Sequence, residues 1–275
     1  MLTGIDHCVI LVPDLETGIH DYEGLGFTVI PGGAHPGGTH NALIAFADGA
    51  YIELIAFQDP AAPSQHRWRR FLDAGGGLID FALGSTDLAA DVARLTGAGL
   101  PYAPMDGART RLDGVQLRWR SASVSPAGQL PFIIEDVTPR GLRVPSGDAV
   151  HHANDVTGVL SLTLAVGDLA AAKGRFSALL DALPLVERDN PDIRAHTATY
   201  VVGQYSIELA QPQDDQSMLA APLAARGDGP YSACLTADPG PTEARWLDPS
   251  VAHGARLQIV APRASSSQSS VVSSR

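Results

Sequence analysis

One strand-and-turn pattern occurs three times along the 275 residues, and it limits the fold more than any other feature. The copies are Ile5-Asp6-His7-Cys8-Val9-Ile10-Leu11-Val12-Pro13-Asp14-Leu15, Asp80-Phe81-Ala82-Leu83-Gly84-Ser85-Thr86-Asp87-Leu88 and Ser161-Leu162-Thr163-Leu164-Ala165-Val166-Gly167-Asp168-Leu169. In each, a short apolar strand runs into an Asp-Leu step. An aspartate at that point accepts hydrogen bonds from the first unpaired amides of a helix and suits the positive helix end. Helical patterns follow, such as residues 88–95 with Gly97 and Gly99 as stop signals.

Strands complete each copy. Residues 41–46 and 50–55 flank Asp48-Gly49, a strong hairpin signal, and residues 197–202 and 205–210 repeat the arrangement around Gly203-Gln204. The second copy offers residues 115–120 and 130–135. Each unit therefore reads as strand, helix and about three strands. A fourth unit, opening at residues 231–238 and closing at 256–261, has too little chain between for a full helix. The expected organisation is one domain of two paired units over residues 1–145, a linker over 146–157 with a solvated His151-His152, a second and degenerate pair over 158–263, and a serine-rich tail over 264–275 that cannot bury enough surface to order itself.

The formal net charge of -11 argues against a nucleic-acid partner, because phosphate binding needs a positive surface. No apolar run approaches the roughly 18 residues of a membrane span, and no basic and apolar leader opens the chain, so the expectation is no membrane partner and a cytoplasmic location. Cys8 and Cys234 stand too far apart for a thiolate metal motif and read as small buried hydrophobes. The glycine-rich residues 31–41 lack the ending of a phosphate loop, and no Gly-x-Ser-x-Gly elbow is present.

The segment from His7 to Leu15, the run Gly38-Thr39-His40-Asn41 and the strand Tyr51-Ile52-Glu53-Leu54 together resemble the vicinal oxygen chelate superfamily, the glyoxalase-like fold. Residues 4–139 look like the glyoxalase-like domain of many bacterial proteins, and those from 158 onward resemble it more weakly. The resemblance implies an α+β fold in which βαβββ units pair into curved, cupped mixed sheets with helices outside. It also implies that a bound metal draws ligands from the first and last strands of two paired units. Registering Asp87 on Asp14 puts Asp80 in the place of His7, and the closing strands put Glu135 opposite Glu53. The candidate metal set is His7, Glu53, Asp80 and Glu135, holding zinc, nickel, manganese or iron, with Glu135 or Glu53 as the catalytic base.

Strand alternation places His7, Val9 and Leu11 on one face, and Tyr51, Glu53 and Ile55 likewise. Asp80 departs from the histidine or glutamine that metal-binding superfamily members usually place there. Three carboxylates and an imidazole also exceed the charge of a divalent ion. A buried strand histidine and carboxylates engaged in salt bridges are the structural alternative. His40 and Asn41 stand as candidate substrate contacts at the mouth of the cup. Arg118 is a third, projecting inward with Trp119 toward the helices. The basic run of Arg67, Arg69 and Arg70 reads more readily as a solvated face or a clasp between units.

These residues suggest a glyoxalase-like metalloenzyme of lyase or isomerase type acting on a small oxygenated metabolite. Alternatives are a metal-free protein of the same fold that binds or sequesters a small molecule, and a dioxygenase, for which the aligned positions supply only one histidine. The expected partner is a small-molecule ligand, and the chain is expected to be a monomer or homodimer.

Overall fold

A computed structural model describes residues 1–62, 65–111 and 113–262; the segment assigned above as a tail, 264–275, lies outside the described residues. The first two units are β1 (Leu2–Leu11), α1 (Leu15–Gly24), β2 (Ile30–Ala34), β3 (Thr39–Ala45) and β4 (Tyr51–Phe57), then α2 (Arg69–Asp73), β5 (Gly77–Ser85), α3 (Leu88–Gly97), β6 (Ala103–Arg111), β7 (Gln116–Ser123) and β8 (Phe132–Asp136). Their eight strands close into a barrel in the order β1-β4-β3-β2-β6-β7-β8-β5. In both units the first strand runs parallel to the last, β1 with β4 and β5 with β8. The units join through the antiparallel β1–β5 pair and through a short β2–β6 pair, Gly33 with Arg111 and Ala34 with Thr110.

A short helix, α4 (Arg140–Arg143), and a single 3-10 turn lead into β9 (Val156–Ala165), α5 (Leu169–Leu180), β10 (Val186–Asn190), β11 (Ala195–Val202) and β12 (Tyr205–Pro212). The chain ends with α6 (Ala220–Arg226), β13 (Gly229–Ala237), β14 (Arg245–Trp246) and β15 (Leu257–Val260). These strands form one sheet, β10-β11-β12-β9-β13-β15-β14. The fourth unit has no described helix between β13 and β14. The three helices that open on an Asp-Leu step are capped as their sequences require: Asp14 accepts from the Thr17 amide, Asp87 from Ala90 and Asp168 from Ala171. Such a cap is worth ~1 kcal/mol.

Two faces of the barrel sheet have different fates. Val9, Leu11, Ile55, Phe57, Ala82, Phe132 and Ile134 form a cluster on the inner face. The alternate residues, among them Cys8, Ile10, Phe81 and Leu83, join Leu162, Leu164, Ala233 and Leu235 of the second sheet, and Phe176 of α5, in one large core. Burial there pushes the Cys8 thiol up to about 12. Backbones approach closely across this seam: a Cβ on Gly77 would meet the Gly254 carbonyl carbon at 2.9 Å.

His152 corrects the expectation of a solvated histidine pair. It is buried, its Nδ1 accepts from the Thr28 amide at 3.0 Å, and its Nε2 lies 3.0 Å from the Ala45 carbonyl. One acceptor and one donor is the inventory of a neutral imidazole, and burial accordingly lowers its pKa. Among the described residues no helix is long and apolar enough to cross a membrane.

Candidate active site

The inner face of β1 is organised by a β-bulge. Ile5 pairs with Leu83 and His7 with Ala82, which leaves Asp6 as an extra residue. A bulge bends its strand and re-aims side chains, and here neighbouring side chains meet: Asp6 Oδ1 lies 2.7 Å from His7 Nδ1. Arg143 grips Asp6 with two bonds, Nη1 to Oδ1 and Nη2 to Oδ2, each 3.0 Å, and Arg140 adds another. The Arg143 guanidinium also donates to Asp136 from Nε at 2.5 Å and to the Tyr51 hydroxyl at 2.7 Å. Burial alone raises the Asp6 carboxyl, but the Arg143 charge and the bond to His7 outweigh it and hold the group well below the usual carboxylate range. Asp6 is thus an anion that keeps a proton on His7 Nδ1.

His7 Nε2 then faces Glu53 Oε2 at 3.6 Å. The imidazole is held from two sides, stacked on Tyr51 with centroids 4.5 Å apart and met edge-on by Phe132 at 5.2 Å. Glu53 takes a short bond from Asn41 Nδ2, 2.5 Å, and Asn41 in turn accepts from Arg109 Nη1 at 2.8 Å. Arg109 is buried, and its Nε has no hydrogen-bond partner among the described residues. Burial lowers the Arg109 pKa, with Glu53 opposing. His35 Nε2 approaches Glu53 Oε1 to 4.0 Å, and burial pulls the His35 pKa down. The glycine-rich loop has a steric role here. A Cβ on Gly32 would collide with the Asn41 side chain and with Arg109.

The expected four-residue metal set is not assembled. His7 and Glu53 meet, but Asp80 is bonded by Arg67 Nη2 and Trp68 Nε1, each at 2.8 Å to Oδ2, and by the Phe81 amide at 2.9 Å to Oδ1. Burial raises the Asp80 carboxyl while Arg67 opposes it. Glu135 is displaced altogether. Phe132 and Ile134 take the inner face, so the two-residue period carries Glu135 to the outer face with Ile133, where Arg120 lies 4.0 Å away. Among the described residues no three His, Cys, Asp or Glu side chains converge as a metal-binding group. The donor set does not fit a divalent ion held by these four residues.

Two substrate contacts expected from the sequence also move. Trp119 packs against the inner cluster, meets His35 edge-on at 6.0 Å, and lies where a Cβ on Gly107 would be. Arg118 is consequently exposed on the outer face. A one-residue difference in parity exchanges the faces of a whole strand, and the apolar surface of tryptophan decides it. His40 alternates away from the buried Asn41 and takes the side of Asp14, whose pKa its charge helps to lower after the Thr17 bonds. Asn41 does sit within the cup. The residues that sequence reasoning missed are Asp6, Tyr51, Arg109 and Arg143. A carboxylate directly preceding His7 was the available signal, but only a bulge makes neighbours in a strand touch.

A family model described as a glyoxalase-like domain matches residues 5–180, more than half of the chain. Among solved structures, the chain is similar to a hypothetical protein from Staphylococcus aureus, with TM-score 0.72 and 12% identity over 95% of this chain and 100% of that one. It is also similar to a mutant of 4-hydroxymandelate synthase from Streptomyces coelicolor, with TM-score 0.59 and 14% identity over 86% of this chain and 71% of that one. Methylmalonyl-CoA epimerase from Mycobacterium tuberculosis matches 40% of this chain and 90% of its own at 23% identity and TM-score 0.35. No curated protein matches the sequence.

Proposed function

Because the chain belongs to the glyoxalase-like domain family, we propose that it is an enzyme of isomerase or lyase type that moves a proton on a small oxygenated metabolite. The observation that carries this reading is the buried series Asp6, His7, Glu53, in which an anion fixes one imidazole nitrogen at 2.7 Å and the other faces a carboxylate at 3.6 Å. That separation is too long for a hydrogen bond. It leaves two proton-carrying groups directed at one another across a gap. Glu53 is the base that removes a proton beside a carbonyl, and His7 Nε2 receives or returns it. Asn41 orients Glu53 through its 2.5 Å bond. The unpartnered Nε–H of Arg109 supplies a donor for the charge that develops on a substrate oxygen. A metal-assisted version has only His7 and Glu53 as converging donors from its expected set, so no step is assigned to an ion.

The test is solvent-deuterium exchange, followed by proton NMR, in a panel of small 2-oxo and 2-hydroxy carbonyl compounds. Deuterium enters next to the carbonyl with the unmodified protein and stops entering with His7→Asn and with Glu53→Gln. If members of the panel bind but none exchanges, the metal-free binding protein of the same fold replaces this reading. That alternative is favoured by Asp80, whose seal with Arg67 and Trp68 fills part of the cup with structure rather than chemistry.

A further inference from the structure

We propose a second ligand site, for a small oxyanion such as a carboxylate or phosphate, in the cavity between the barrel and the second sheet. This cavity of about 200 Å³ has Phe71 and Ile79 of the barrel on one wall and Arg226, Asp228, Tyr231 and Arg256 on the other. Its most telling group is Tyr231. The residue is 7% exposed, and its hydroxyl is buried with no hydrogen-bond partner among the described residues. Buried hydroxyls nearly always have a partner, and an acceptor entering the cavity would provide one.

The charges on this wall point the same way. Arg256 lies over the Tyr231 ring, 4.9 Å from its centre, and Arg226 lies 5.5 Å from the centre of the Phe71 ring while donating to the Gly76 carbonyl at 2.5 Å. Arg70 reaches the same edge, donating to the Arg226 carbonyl at 3.3 Å and packing on Phe71 at 4.2 Å. Asp228, the acid on this wall, is already engaged by the Gly167 amide at 2.9 Å and by Arg175 at 3.3 Å. A chain of net charge -11 has thus gathered guanidinium groups around a small space and met them with carbonyls and aromatic rings. Guanidinium forks match carboxylate and phosphate oxygens. The volume suits a compact anion rather than a bulky coenzyme, for which pockets run from roughly 300 Å³ upward.

Arg226, Tyr231 and Arg256 all lie beyond the residues that match the family model, 5–180. They belong to α6, β13 and the approach to β15, in the second sheet and its connections, so the site is separate from the one built on His7. It rests on none of the chemistry proposed for that residue.

Isothermal titration of the full chain with inorganic phosphate and, separately, with succinate tests the proposal. Saturable binding of at least one is expected, weakened 10-fold or more by Arg256→Gln and several-fold by Tyr231→Phe, which keeps the ring and removes only the hydroxyl. Arg226→Gln should weaken it similarly, and His7→Asn should leave it unchanged. Phosphate alone binding identifies the phosphate form of the ligand, succinate alone the carboxylate form. Binding of neither anion overturns the proposal. So does binding that survives both Arg256→Gln and Tyr231→Phe, or that is lost in His7→Asn, with thermal unfolding confirming that each variant is folded.

Discussion

His7 Nδ1 lies 2.7 Å from the carboxylate of its own chain neighbour, Asp6. Consecutive residues of a regular strand point to opposite faces, so this contact exists only because β1 bulges between Ile5 and His7. Its chemical effect is to assign the imidazole protons. Asp6→Asn keeps the shape but offers Nδ1 an amide N–H, which turns the ring to the other tautomer. A fall in kcat of about 10²- to 10⁴-fold is expected for the exchange reaction, with the far-ultraviolet circular dichroism unchanged. A variant as active as the parent would remove Asp6 from the proton path.

The Asp6 carboxyl also sets a pH dependence of stability. Its folded pKa is lowered, whereas in the unfolded chain it titrates near ~3.9. Between those values the unfolded chain binds more protons, so the contribution is present above ~3.9 and is lost as pH falls through the lower folded value. Asp80 has the opposite sign, because burial raises its pKa and so favours the fold on the acid side. Urea unfolding from pH 6 down to pH 2 should show a steeper acid loss in the parent than in Asp6→Asn, and the reverse difference in Asp80→Asn.

Arg143 is 4% exposed and holds Asp6, Asp136 and the Tyr51 hydroxyl at once. Arg143→Ala takes the two-bond grip from the buried Asp6 and leaves Arg140 as the remaining guanidinium on Asp6 and Asp136, a change expected to cost up to about 3–5 kcal/mol. Arg143→Lys restores charge without the planar fork and should recover only part of that loss. Denaturant midpoints compare the three proteins directly.

Much of this architecture is legible in the sequence, and the reason lies in the Asp-Leu steps. Asp14, Asp87 and Asp168 mark helix starts by a local bond, so their positions register one unit on the next without knowledge of tertiary packing. The inner face of β1 is readable for a similar reason, since period two needs only the residues of that strand. Glu135 and Arg118 resist such reading. Glu135 follows two isoleucines, and whether Ile133 or Ile134 faces inward is decided by the large core on the other side, while Arg118 alternates with Trp119, whose packing on the inner cluster turns the arginine outward. Arg109 and Arg143 come from β6 and α4, and nothing local announces that either will reach the face of His7.

Gly32 faces Asn41 and Arg109 at a distance that leaves no room for a methyl group. Gly32→Ala is expected to destabilise by about 1–3 kcal/mol, the usual cost of overpacking, and to loosen the Asn41–Glu53 bond. Thermal unfolding measures the first effect and the exchange assay the second.

His152 gives a second pH signature. Its folded pKa is lowered by burial, so the unfolded chain protonates first, near ~6.5. The stabilisation is therefore complete above ~6.5 and is lost as pH falls through the lower folded value. Protonating Nδ1 removes the acceptor of the Thr28 amide. His152→Gln should flatten the decline in stability between pH 7 and pH 5, with His35 and His66, whose pKa values burial also lowers, retaining the remainder.

The large core that spans both sheets has a consequence for how such a chain can change over time. Leu162, Leu164, Ala233 and Leu235 fill space against Cys8, Ile10, Phe81 and Leu83, so the later units are held to their hydrophobic face by the earlier ones. On the other face of that sheet a much smaller cluster is buried, built from Ala165, Ala195, Ala210, Leu219 and Tyr231. A half tied in this way tolerates change among its outward polar residues more readily than among its buried ones, because a gap in the shared core is felt by both sheets.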